Sequence, residues 1–457
     1  MVSPSRSDMS KDMTPSYFAT KLPGIQTEAI QPWDLPDRSY YDLTPEDEIT
    51  DASSDSPLTQ ETIHTDKEPI VAVIGVGYVG EQLVANFSTA YEVIGYDVSE
   101  SRIRQLKRSF EAADRIRFTR NPRDLTAATH FLISVPTLLL PDKTVDSSFI
   151  RRALMIIANY ARRGSVIVIE SSVAVGMTRK LLGPLAKECG YFAGMSPERV
   201  DPGRLEPQAS AIPKVVSGLD DIIPGSLDLI TKLYAEVFDR VVPVSCPEVA
   251  EMTKLYENCQ RMVCIAYANE MADACQSHGI DPFEVCRAAS TKPFGYMPIT
   301  PGIGVGGHCI PVNPYYLLAN NEFPLLEAAS ESMRARPATI AQRAVRKICS
   351  SPQSRLRPRV LVVGIGFKPG QSHLANSPGL ALSQSLVLTD KVDVAWLDPL
   401  VAQEAVPQIA RLDPEDWTEK SLEGDFDMVI VAIRQHGLDF AVLETVHGVH
   451  VEWWCQQ

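Results

Sequence analysis

Ile70-Val71-Ala72-Val73-Ile74 is a wholly apolar run, and Gly75-Val76-Gly77-Tyr78-Val79-Gly80 follows it directly. A run this short, closed by glycines, reads as a buried strand entering a tight turn. The mixed stretch to about Ala90 reads as a helix. Tyr91-Glu92-Val93-Ile94-Gly95-Tyr96-Asp97 then reads as a second strand that ends in an acid. Further apolar runs end at Ser134-Val135-Pro136-Thr137 and at Glu170-Ser171-Ser172, and strands alternating with helices predict a parallel sheet. The pattern returns near the end. Arg359-Val360-Leu361-Val362-Val363 leads into Gly364-Ile365-Gly366-Phe367-Lys368-Pro369, and Val392-Asp393-Val394-Ala395-Trp396-Leu397-Asp398 again closes on an acid. Phe426-Asp427-Met428-Val429-Ile430-Val431-Ala432-Ile433 is a later strand of this second sheet.

Between the two sheets the period changes. From Pro247 to His278 no residue after the proline is Gly or Pro, which predicts one long helix of roughly 45 Å. Pro247 suits its first turn and Gly279 its end. Lys254 and Asn258 share a face, and Ala, Met, Cys, Ile and Leu dominate much of the surface. The amine of Lys254 reads either as functional or as a snorkelling head reaching water. A second helical run is expected from Asn320 to about Ser350. The segments predict an α/β fold: two Rossmann-like parallel-sheet domains, at residues 69–245 and 346–457, joined by a central helical region at 246–345.

The first turn has chemistry of its own. Strand, G-x-G-x-x-G, helix, strand and acid occur in the order and spacing of a dinucleotide site. Gly75, Gly77 and Gly80, with Tyr78 and Val79 between them, allow close approach to a pyrophosphate at a helix N-terminus. Asp97 can accept bonds from both ribose hydroxyls and would repel a 2′-phosphate, which favours NAD over NADP. The second turn has Pro369 in place of the third glycine, so that sheet need not hold a dinucleotide. Ser171 and Ser172 read equally well as helix caps or as ligand contacts. Ser196-Pro197-Glu198-Arg199-Val200-Asp201-Pro202-Gly203-Arg204 reads as a solvated polar loop.

Composition sets the class. The 457 residues are 45% hydrophobic and 22% charged, with a net charge of -14. That balance argues against a nucleic-acid surface or an anionic membrane as partner. Residues 1–68 hold fourteen acidic and five basic side chains with no apolar period, which reads as a disordered acidic tail. They lack a secretory pattern and are too acidic for a transit peptide. No apolar stretch is long enough to span a bilayer. Nine scattered cysteines without C-x-x-C or zinc-like spacing suggest a reduced, cytoplasmic protein with no metal.

One cysteine stands apart. Gly302-Ile303-Gly304-Val305-Gly306-Gly307-His308-Cys309-Ile310-Pro311-Val312-Asn313-Pro314 reads as a loop that brings backbone and a thiol close to a ligand. Two nucleotide-type sheets and one thiol fit a nucleotide-linked alcohol oxidised twice, with covalent capture of the intermediate carbonyl. The chain from about residue 69 resembles the UDP-glucose/GDP-mannose dehydrogenase family. The motifs that carry the resemblance are Gly75 to Gly80 with Asp97, Ser196-Pro197-Glu198-Arg199, Lys254-Leu255-Tyr256-Glu257-Asn258, Gly306-Gly307-His308-Cys309 and Gly364 to Pro369. Thr291-Lys292-Pro293-Phe294-Gly295-Tyr296-Met297-Pro298 and His308-Cys309-Ile310-Pro311 look most like the branch oxidising UDP-N-acetylglucosamine or UDP-N-acetylmannosamine.

The resemblance implies roles. Cys309 would be the nucleophile, Lys254 and Asn258 would hold the oxyanion and a water, and Glu198 would assist thioester hydrolysis. Ser172 stands where the family usually has Thr. Asp97 and Thr137 would lie at the cofactor. Arg199, Gly306, Gly307, Phe367 and Lys368 would lie at the UDP-sugar, with the third domain contributing the last two. The family is dimeric or larger through the long helix.

Two departures qualify this. Asn313 stands where the family has Asp, and an amide neither takes a proton nor balances a lysine. Ala375-Asn376-Ser377-Pro378 replaces the common Arg-Glu-Ser-Pro. The leading reading is a four-electron UDP-sugar 6-dehydrogenase. The alternative is a catalytically impaired homologue that binds NAD and nucleotide-sugar. A single-oxidation hydroxyacid dehydrogenase fits neither the second sheet nor the thiol loop.

Overall fold

The computed structural model describes residues 68–140, 142–200, 206–350 and 355–456. The acidic tail, except for Glu68, and the end of the polar loop at residues 201–205 lie outside the described residues.

The first sheet contains β1 (Ile70–Ile74), β2 (Glu92–Tyr96), β3 (Ile116–Thr119) and β4 (His130–Ile133). A short hairpin follows, β5 (Leu138–Leu139) with β6 (Val145–Asp146). The sheet continues with β7 (Val166–Ile169), β8 (Phe192–Met195), β9 (Lys214–Gly218) and β10 (Val241–Pro243). Its order is β10-β9-β8-β7-β4-β1-β2-β3, so the strand order reverses between β1 and β4. Ligands bind at such a reversal, beyond the carboxyl ends of the strands. Helices α3 (Ser148–Tyr160) and α4 (Met177–Cys189) pack on one face through Ile150, Ile157 and Leu182. The other face carries α1 (Tyr78–Phe87), α2 (Glu100–Ser109) and α5 (Ser226–Ala235) through Leu83, Phe87, Leu106 and Ile230. Strands covered on both faces are near-continuous apolar runs, which is why they stood out in the sequence.

One pair in this sheet is antiparallel. Among the described residues between β8 and β9 there is no α-helix, and parallel neighbours need a crossover. Gly194 therefore faces Gly218, and Met195 faces Ser217. This reversal puts the first residue of β9, Lys214, at the carboxyl ends of β7 and β8.

The long expected helix is α6 (Pro247–Ser277). Ala250, Lys254, Asn258, Met262 and Ala266 recur every four residues and form its buried stripe. It packs on α8 (Asn313–Leu318) and α9 (Pro324–Cys349), with α7 (Pro282–Ser290) beyond it. The expected loop at 302–314 thus ends two residues early, at Val312. Asn313 and Pro314 open α8, where a proline costs no hydrogen bond.

The second sheet has the order β13-β12-β11-β14-β15 and is parallel throughout. Its strands are β11 (Arg359–Val363), β12 (Asp393–Leu397), β13 (Ala410–Arg411), β14 (Met428–Val431) and β15 (His450–Trp453). Helix α10 (Pro378–Leu388) packs between this sheet and α9, and α11 (Glu419–Asp425) and α12 (Val442–Thr445) complete the unit. Among the described residues no helix is long and apolar enough to cross a membrane.

Candidate functional site

The glycine turn lies where the first sheet reverses. Gly75 has φ +86°, and its N–H donates to Tyr96 O at 2.8 Å. A Cβ on Gly80 would lie 2.0 Å from the carbonyl oxygen of Gly75, so helix α1 can press against the turn only with glycine there. A Cβ on Gly77 would meet nothing within 4 Å, which leaves open space in front of the helix N-terminus. Tyr78, largely exposed, and Val79 begin that helix. Asp97 accepts from Val76 N at 3.0 Å and from Ser99 N at 2.9 Å, one bond on each oxygen. Each oxygen keeps a lone pair for a further donor.

The sequence reading missed Arg102, whose guanidinium holds the turn from behind. It donates to Val76 O at 2.8 Å, to Gly77 O at 3.2 Å and to Glu81 at 2.5 Å. Arginine in a surface-type helix carries no sequence signal for this.

The second sheet's turn is built differently. Asp398, the counterpart of Asp97, is wholly buried. Its carboxylate accepts from Gly366 N, Leu400 N and the Gln435 amide at 3.0, 3.0 and 3.1 Å. Gln435 thus adds a third donor to this carboxylate, where Asp97 has two among the described residues. Its signal is only its distance past a strand end, at the same step as the turn after β4.

The cysteine loop is clamped between α6 and this second turn. Phe367 lies against Gly306 and Gly307, where an added Cβ would come within 2.9 and 3.1 Å of it. Gly307 N donates to Ala375 O at 2.9 Å, and the Asn376 amide donates to Gly307 O at 2.9 Å. The residues that replace the familiar Arg-Glu pair therefore hold this loop themselves. Half-buried Lys368 is in the same turn.

Cys309 is exposed. Its carbonyl accepts from Asn313 N at 2.8 Å, which ties thiol and amide positions together. Buried Asn313 accepts from the Asn258 amide, and Asn258 in turn accepts from Arg261. Lys254, one turn before Asn258, is buried and has no hydrogen-bond or ion-pair partner among the described residues. Burial lowers its pKa, while the charges of Cys309 and Glu198 act to raise it. Both groups therefore lie within electrostatic range of this amine. The Lys254 stem is buried, and its amine is not among the fully enclosed, unpartnered polar atoms of the described residues, so a small opening to solvent remains at its head.

Glu198 was expected on a solvated loop. Its carboxylate instead pairs with Lys214 at 2.9 Å and accepts from Arg199 N and Val200 N at 2.6 and 2.7 Å. Lys214 also pairs with Glu170 at 2.8 Å, and Tyr234 donates to Glu170. Arg199 is held by Glu257, at 2.6 and 3.4 Å, and by Pro213 O at 2.7 Å. Ser171 donates to Val135 O at 2.7 Å and caps no helix. Thr137 donates to Ser172 O at 2.8 Å, and Thr137 O accepts from Tyr316 of α8 at 2.7 Å. That chain joins the cofactor-side strand ends to the helix that follows Cys309.

Residues 70–238 match the NAD binding domain of the UDP-glucose/GDP-mannose dehydrogenase family, and residues 248–332 match its central domain. UDP-N-acetyl-D-glucosamine 6-dehydrogenase of Pseudomonas aeruginosa is 31% identical over 391 residues, which is 80% of this chain and 90% of that protein. The chain belongs to the UDP-glucose/GDP-mannose dehydrogenase family. A second relative, UDP-N-acetyl-D-mannosamine dehydrogenase of Pyrococcus horikoshii, is 30% identical over 79% of this chain and 88% of its own length. The solved structure of a UDP-D-ManNAc dehydrogenase from Pyrococcus horikoshii superposes with a TM-score of 0.70 at 28% identity, covering 84% of this chain and 99% of that one. As a family member the chain is an oxidoreductase, and its cofactor is NAD.

The residues present fit that cofactor. The open cradle at Gly77, the N-terminus of α1 and the spare lone pairs of Asp97 match a pyrophosphate and a ribose. Gly80→Ala is expected to raise the dissociation constant for NAD at least about fivefold, because relieving the overlap with Gly75 costs about 1–3 kcal/mol. Calorimetric titration reads the affinity, and circular dichroism checks that the variant is folded.

Proposed function

We propose that this protein oxidises the C6 alcohol of a UDP-sugar, a UDP-N-acetylhexosamine or UDP-glucose, to the UDP-uronic acid. The observation that carries the reading is Lys254 on the buried stripe of α6 beside Asn258, without a hydrogen-bond or ion-pair partner among the described residues, where the charges of Cys309 and Glu198 act on it. The names of the relatives support the substrate class.

Bound NAD supplies the hydride acceptor in each of two oxidations. The chain's own residues do the rest. Cys309 adds as thiolate to the C6 aldehyde and gives a thiohemiacetal, whose oxygen carries the charge that Lys254 meets. One hydrogen of the Asn258 amide is free to join it, the other being held by Asn313. Loss of the second hydride leaves a thioester on Cys309. Glu198 takes a proton from water as that water attacks the thioester carbonyl, and the Cys309 thiolate leaves. Ser172 adds a hydroxyl at the edge of this space. Residues 69–245 bind the cofactor with Thr137 at its edge, residues 246–345 carry the thiol, and residues 346–457 hold the UDP with Phe367 and Lys368. Arg199 fixes the Glu198 loop at the sugar.

A second copy of the chain is the proposed partner. Val249, Met252, Tyr256, Tyr267 and Met271 leave a large apolar face exposed on α6. Asn313 favours a second reading, an impaired homologue that binds without turning over. A panel of UDP-sugars with NAD separates the two. Turnover is expected with UDP-GlcNAc, UDP-ManNAc or UDP-glucose; measurable binding with no NADH from any of them would favour the impaired homologue.

A further inference from the structure

The cluster behind Glu198 has no place in the chemistry above. Lys214 is buried and bridges two carboxylates, Glu170 at 2.8 Å and Glu198 at 2.9 Å. Glu170 is also buried and accepts from Tyr234, which is wholly buried. The three elements that meet here are distant in sequence. Glu170 follows β7, Glu198 follows β8, and Lys214 opens β9. Only the antiparallel turn of β9 brings the lysine to the carboxyl ends of the other two strands. Two carboxylates facing one ammonium cannot both stay charged without leaving an unbalanced charge in the core.

We infer that Lys214 is a positioning residue that keeps Glu198 ionised and oriented, with Glu170 holding the cluster's spare proton. The geometry separates the two acids. Glu198 has Lys214 and two backbone N–H donors. Glu170 shares the same lysine but is sealed in, with Tyr234 its one other side-chain partner among the described residues. Burial accordingly pushes Glu170 up to about 7. Burial also raises Glu198, but Lys214 and the N–H groups of Val200 and Arg199 outweigh it and bring its carboxyl below the usual range. The titratable groups that act on the pair are Lys214, the neutral phenol of Tyr234 and, for Glu198, Lys254.

The inference rests on the proposed hydrolytic role of Glu198, and its test is chosen to stand apart from that role. Glu198 is titrated in substrate-free protein by isotope-edited infrared spectroscopy, with Glu198→Gln to assign the band. The acid limb of turnover is measured in parallel. Glu198 needs its charge, so activity is present above its pKa and lost below it. Lys214→Met removes the cation and is expected to move both the titration and the acid limb upward by about one to three pH units. Lys214→Arg restores both. Glu170→Gln mimics the protonated acid and leaves the acid limb in place.

If Lys214→Met does not fold, Lys214→Met with Glu170→Gln carries the test, since it leaves no lone carboxylate at position 170. A Glu198 titration that stays within about 0.3 pH unit of wild type in these lysine variants overturns the inference, because a purely structural lysine lowers stability without moving a pKa. A shifted titration in a protein that makes no NADH upholds the inference and removes the dehydrogenase reading instead.

Discussion

Cys309→Ser is expected to abolish the proposed formation of the UDP-uronic acid, with a fall in rate of at least about a thousandfold. The reason is the second half of the reaction. A serine hydroxyl titrates far above a thiol, so it neither adds readily to the aldehyde nor leaves easily from an acyl group. The local structure does not depend on sulfur. Cys309 is exposed, and the bonds that organise its turn use its carbonyl, from Asn313 N and Val312 N. The variant is therefore expected to keep the wild-type melting temperature and NAD affinity. Product analysis by mass spectrometry reads the outcome; acid formation at an unchanged rate would sink the covalent route.

Asn313→Asp is expected to raise turnover by about a hundredfold, the low end of what a placed acid–base group contributes. Asn313 already accepts from the Asn258 amide, so a carboxylate of the same shape keeps that bond. What it adds is charge. Lys254 lies one helical turn from Asn258 in a buried site without an ion-pair partner among the described residues, and burial lowers its pKa. A nearby anion favours the ammonium. The ammonium, needed to meet an oxyanion, then persists to higher pH. The sign follows: an amine whose pKa is raised loses its proton later, so the basic limb of the rate profile moves up. A rate and a basic limb both equal to wild type would show that position 313 does not limit this enzyme.

The features that local chemistry dictates were legible in the chain. The turn at Gly75 to Gly80 reads directly because helix α1 can approach Gly75 only where position 80 lacks a side chain. The helix Pro247–Ser277 reads directly because nothing inside it breaks the ladder. Lys254 and Asn258 were placed by the same spacing. The loop after β8 was misread because Glu198 is neutralised by Lys214, sixteen residues away, on a strand whose direction no periodicity reveals. Alternation of apolar residues fixes a strand's faces and not its direction. Glu170 and Tyr234 were missed for a related reason, since a charge at the end of an apolar run looks the same whether it meets water or a buried lysine. In the second sheet the third glycine is displaced and not missing: a Cβ on Gly379 of α10 would lie 2.6 Å from Gly364 O, so the longer turn hid it from the motif spacing. The saturation of Asp398 by Gln435 depends on two strand ends meeting across 37 residues.

The departure at Ala375-Asn376 also changes meaning. In sequence it is a lost Arg–Glu pair. In the folded chain Ala375 O and the Asn376 amide both bond Gly307, two residues from Cys309. The second sheet's turn thus holds the thiol loop through backbone and amide in place of an ion pair.

The central claim is a four-electron oxidation through one thiol, and the NADH formed per sugar consumed tests it most directly. Purified protein, excess NAD and a limiting amount of the UDP-sugar it turns over should give two NADH and one UDP-uronic acid at completion. One NADH per sugar, with a free C6 aldehyde as the end product, would contradict it.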